Sequence, residues 1–80
     1  MKPINKKILD LIRQVQDLVF QKPNMMMYCQ SDIYLVSIYS ITENGKFSYR
    51  KNLYIDGSLQ SESQVIKELE EIIKNLEEMK

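Results

Sequence analysis

Apolar residues recur along this chain with two different periods. Near the start they fall at Ile4, Ile8, Leu11, Val15 and Leu18, spaced 4-3-4-3, with Ile12 and Val19 widening the stripe on one side. That spacing puts them on one face of an α-helix and leaves Lys6, Lys7, Asp10, Arg13, Gln14 and Asp17 to a solvated side. The pattern predicts a helix over about 3–21. Pro3 suits a first helical position, where its missing N–H needs no partner, and Pro23 stops the helix at the other end. Val65, Leu69, Ile72, Leu76 and Met79 repeat the spacing near the other end of the chain, flanked by Ile66 and Ile73, and predict a second helix over about 61–79. Ser61 with Gln64 reads as a capping box, and Glu62 suits the positive end of the helix dipole. Both faces are wider than a coiled-coil seam, so a sheet or a multi-helix core is the expected partner.

Between the helices the period falls to two. The run from Asp32 to Asp56 predicts a β-hairpin, with strands over 33–42 and 46–55 joined by Asn44-Gly45, the pair best suited to a type I′ turn. That turn sets a register pairing Thr42 with Phe47, Ser40 with Tyr49, Ile38 with Lys51, Val36 with Leu53 and Tyr34 with Ile55 on one face. Ile41 with Ser48, Tyr39 with Arg50, Ser37 with Asn52, Leu35 with Tyr54 and Ile33 with Asp56 take the other. The first face carries Val36, Ile38, Phe47, Leu53 and Ile55 and is the core candidate. A bulge would shift one strand by a residue and exchange the faces beyond it.

Met25-Met26-Met27-Tyr28-Cys29 is apolar but too short for a helix, bounded by Pro23 and by Gln30-Ser31-Asp32, and predicts a short strand over 25–29. Turning through Ser31-Asp32, it pairs with the hairpin. The expected fold is thus α+β, a single domain of order α-β-β-β-α (α-β-β-α without the short strand), its antiparallel sheet carrying both helices on one face. The methionines read as flexible core filler or as an adaptable contact for a partner. Cys29 reads as a small buried hydrophobe.

Composition narrows the function more by exclusion than by indication. Eighty residues make one domain, near the size at which one core is marginal and oligomerisation is a common remedy. Net charge is zero, from 11 basic and 11 acidic residues, so no global field draws the chain to nucleic acid or an anionic membrane. Charge is divided, however: residues 1–24 carry five basic and two acidic side chains, and residues 58–80 carry three lysines and six glutamates, so the helices could attract one another. One cysteine allows no internal disulfide, and neither a leader peptide nor an apolar run of membrane-spanning length is visible, which suits a cytoplasmic protein. The abundance of Ile, Lys, Asn and Glu suits an AT-rich genome and a bacterium or one of its mobile elements.

No constellation of catalytic chemistry emerges, and no cofactor is implied. Without histidine there is neither a Ser-His-Asp nor a Cys-His arrangement, nor a His-based metal site. One cysteine excludes a zinc ribbon, and Gly45 and Gly57, in separate turns, form no phosphate-cradling loop. Glu70-Glu71 and Glu77-Glu78 lie off the apolar stripe, within a turn of Lys67 and Lys74, as a solvated face does. The expected protein is not an enzyme.

What stands out is the second hairpin face, where Leu35, Tyr39, Arg50, Asn52 and Tyr54 form the candidate interaction surface. Tyrosine and arginine combine large contact area with a polar tip, and are enriched at binding hot spots. The expectation is a small protein–protein interaction module, self-associating as a homodimer. The alternative is nucleic-acid binding, with Tyr39, Arg50 and Tyr54 stacking on or gripping the ligand. The α-β-β-β-α order resembles that of double-stranded RNA-binding domains. Those domains open their last helix with lysines, whereas this chain has Ser61-Glu62-Ser63-Gln64 there.

Overall fold

Asn5 and Ser61 start the two helices, each lending a side-chain oxygen to a backbone N–H that the first turn leaves unpaired. The Asn5 carbonyl oxygen accepts from the Lys7 N–H at 2.8 Å, and the Ser61 hydroxyl accepts from the Gln64 N–H at 3.2 Å. The computed structural model describes residues 4–79. Its elements are α1 (Lys6–Phe20), β1 (Met25–Gln30), β2 (Leu35–Ile41), β3 (Phe47–Tyr54) and α2 (Glu62–Glu78). The expected α-β-β-β-α order is the observed one. Pro3 lies outside the described residues, and the helix begins at Lys6 because Asn5 caps it.

The sheet is antiparallel with β2 in the centre. One face of β2 and β3 supplies Val36, Ile38, Leu53 and Ile55 to the core; the helices supply Ile8, Leu11, Val15 and Val19 from α1 and Val65, Leu69, Ile72 and Leu76 from α2. Ile8, Val15, Ile38, Val65, Leu69 and Leu76 are fully buried. Both helices therefore lie on one face of the sheet, and Met25 and Met27 pack against the same core from β1. Polar links at both ends fix the direction of the helices. The Asn5 side-chain amide donates to the Glu62 carboxylate at 2.9 Å, and the Lys22 ammonium donates to the Met79 carbonyl at 2.8 Å. The helices run side by side in the same sense, and Lys22 places a cation at the C-terminal end of α2, where the helix dipole favours one.

The turn between β2 and β3 departs from expectation. Of its central residues only Gly45 has a positive φ, at 78°, so the loop is not a type I′ turn, which needs two. The Thr42 carbonyl accepts from the Gly45 N–H at 2.9 Å and the Thr42 N–H donates to the Lys46 carbonyl at 2.8 Å. This is a tight turn closed by a left-handed glycine, a loop type whose geometry goes with a bulge. The ladder accordingly shifts between Ser40 and Ile41, so that Ser40 faces Tyr49 while Ile41 faces Phe47, and Ser48 is the extra residue. The Ser40 and Ser48 hydroxyls hydrogen-bond to each other beside the irregularity. From Ser40 back to Leu35 the expected register holds. Phe47 does not join the core: it is 53 % exposed on the opposite face. At the base of the hairpin, Tyr34 takes a left-handed φ of 55°, and the strand begins at Leu35 instead of residue 33.

Candidate interaction surface on the outer sheet face

The face of the sheet turned away from both helices is organised in rows. Because β1 pairs with β2 and β2 with β3 without a break below the bulge, residues directly opposite one another share a face. The rows are Met26, Tyr39 and Arg50; Tyr28, Ser37 and Asn52; and Gln30, Leu35 and Tyr54. The bulge adds Ile41 and Phe47 at one end. All five expected residues, Leu35, Tyr39, Arg50, Asn52 and Tyr54, thus lie on one surface. Arg50 and Asn52 are exposed, and Leu35, Tyr39 and Tyr54 are half-buried by their neighbours.

Phe47 changes the character of this surface. Its ring meets that of Tyr39 edge to face, with centroids 5.8 Å apart and planes at 84°, the arrangement that the ring quadrupoles favour. The Arg50 guanidinium carbon lies 5.0 Å from the centroid of Phe47, within cation–π range. Beside the cluster, the Ser37 hydroxyl donates to the Asn52 side-chain carbonyl at 2.7 Å. Tyr28, Ser37, Tyr39, Ile41, Phe47, Arg50 and Asn52 line a shallow open depression. An aromatic cluster with one held cation beside a short polar ladder can grip an apolar side chain and accept or donate a few hydrogen bonds. It carries no nucleophile with an adjacent base.

Met26, Tyr28, Ile41 and Phe47 belong to this surface, and of these the hairpin alone yields only Ile41. Met26 and Tyr28 were accessible through the alternation of β1 once that strand is paired. Ile41 was already on this face of the hairpin but without an aromatic neighbour, and Phe47 required knowing the bulge. The basic residues nearby do not form one patch: Arg50 points outward, whereas Lys51 lines the side of the sheet facing α2, next to Glu68 and Glu71.

Cys29 is exposed, not buried, because β1 is an edge strand whose far side no other strand covers. Partial burial nevertheless pushes its thiol above the ordinary range, which disfavours the thiolate. The Asp56 carboxyl is held below its usual range by the hydroxyl and backbone N–H of Ser58, which donate at 2.7 and 3.0 Å. Among the described residues, no group of three or more His, Cys, Asp or Glu side chains is placed to hold a metal ion, and no helix is long and apolar enough to cross a membrane. Compared with protein-family models, with curated proteins and with solved structures, the chain matches none.

Proposed function

We propose that this chain is a small, non-enzymatic, self-associating cytoplasmic module that works by protein–protein contact and presents the outer sheet face to its partner. The observation that carries this reading is the Tyr39–Phe47–Arg50 cluster on a sheet face that neither helix covers. Three large side chains are already arranged against one another there, so little rotamer freedom is lost when a partner settles on them. Arginine and tyrosine at the centre of such a patch are typical anchors. The same surface carries a single cation, a poor basis for tracking a phosphate backbone, which rewards several lysines and arginines in line. That weighs against nucleic acid as the ligand, although exposed rings can stack on bases. The bacterial or mobile-element origin suggested by composition fits a small module of this kind.

A photo-crosslinking side chain placed at Tyr39, with a second placed at Glu70 on the exposed side of α2 as control, tests this in the cells that make the protein. Protein adducts from position 39, surviving nuclease and reduced by Arg50→Ala, are expected. Adducts that disappear with nuclease would replace this reading by nucleic-acid binding.

A further inference from the structure

The two edges of the sheet are built differently. β3 carries Arg50 and Lys51 in mid-strand and is disturbed by the irregularity at Ser48. Charges and bulges are the usual guards of an open edge. β1, Met25–Gln30, has none of them: it holds no charged side chain and no proline, and it pairs with β2 through six residues without a shift. Its free side still presents unpaired backbone groups, the template on which another strand adds.

Apolar side chains gather along this edge. Phe20 from the end of α1 is 80 % exposed, Tyr28 52 % and Met26 42 %. Phe20, with Gln16 and Val19, lines one groove with Met25–Cys29. Leu9, 43 % exposed, lies on the same ridge of α1 as Gln16 and Phe20 by helical spacing. Leu9, Phe20, Met26 and Tyr28 together expose roughly 400 Å² on the scale of large side chains, about half of the ~800 Å² that each partner brings to a standard interface. The backbone edge and the rest of the groove add to it.

We infer that a second copy of this chain occupies the edge, β1 pairing with β1 antiparallel about a two-fold axis to give one six-stranded sheet. This rests on the self-association proposed above but assigns it to the edge, and leaves the Tyr39–Phe47–Arg50 face free for a further protein partner. An uncharged strand is compatible with itself, because antiparallel pairing about a two-fold axis sets residue i against j and j against i, and no pair in β1 then brings a charge to the seam. The axis also reverses one α1 against the other. Both helix layers stay on one side, and the outer aromatic faces join into a single surface twice as wide.

Cys29 offers a test that leaves the outer face intact, since its partner Val36 lies on the helix-bearing side. The full chain is expected to be a salt-insensitive dimer by light scattering. Cys29→Lys and Cys29→Glu, checked for folding by circular dichroism, should each dimerise about tenfold or more weakly, because either charge guards the edge. Tyr39→Ala with Arg50→Ala should leave the dimer in place, and amide exchange in β1 should slow as concentration rises. A dimer that survives both Cys29 variants but is lost in the Tyr39/Arg50 variant would overturn the edge and keep self-association, moving it to the outer face. A monomer at every concentration would overturn both.

Discussion

Arg50 is held over the ring of Phe47, 5.0 Å from its centroid, by a bulge that turns Phe47 out of the core. The pair sits in solvent, where a cation–π contact is worth about 0.5–1 kcal/mol. Arg50→Gln is expected to lower the unfolding free energy by about that amount, and a double-mutant cycle with Phe47→Leu should recover a coupling of the same size. Denaturant titration of the four chains measures it. A coupling indistinguishable from zero would mean that the cluster is not formed in solution.

Leu69 is fully buried at the centre of the α2 face. Leu69→Ala leaves a cavity in the core cluster to which Leu69 belongs and should cost about 2–5 kcal/mol. Leu59, 73 % exposed before α2, should tolerate the same change within about 0.5 kcal/mol. Thermal unfolding of the two variants separates a core leucine from a surface one.

The hydroxyls of Tyr34 and Tyr49 are buried without a hydrogen-bond partner, although both rings pack against the core. A buried unpaired hydroxyl costs about 1–3 kcal/mol in lost hydration. Tyr49→Phe and Tyr34→Phe keep the ring and remove that cost, so each should be neutral or stabilising. A clear loss of stability on denaturant unfolding would show that the hydroxyl is bonded.

Ser58 donates twice to the Asp56 carboxylate and lowers its pKa. The folded state therefore favours the charged carboxyl. Its contribution to stability is present above the ordinary aspartate range and is lost as the pH falls through the lowered folded value. Ser58→Ala should raise the Asp56 pKa toward the ordinary range, as read by NMR titration of the carboxyl carbon. An unchanged titration would assign the shift to another group.

Much of this architecture is written in the periodicity of the chain. The 4-3-4-3 stripes at Ile8–Val15 and Val65–Leu76 have one solution, since any other helix rotation would expose them. The pairs Val36 with Leu53 and Ser40 with Tyr49 follow from counting outward from Asn44-Gly45. The same count fails at Phe47 because it assumes two left-handed residues in the turn, whereas only Gly45 adopts that conformation. Asn-Gly is compatible with both loops, so alternation alone could not choose between them. Cys29 differs for a related reason: composition suggests burial, but exposure depends on whether β1 lies at an edge, a property of sheet order. For the candidate surface, the hairpin residues Leu35, Tyr39, Arg50, Asn52 and Tyr54 were legible from alternation, while Met26 and Tyr28 depended on pairing across strands far apart in sequence.

The central claim is that this chain acts through contact between protein surfaces, beginning with its own copies. Light scattering of the purified chain through a dilution series, at low and at high salt, tests it most directly. The expected result is a dimer whose mass does not change with salt, because the joining surface is apolar and hydrogen-bonded and ions screen neither term. A monomer at every concentration would contradict self-association.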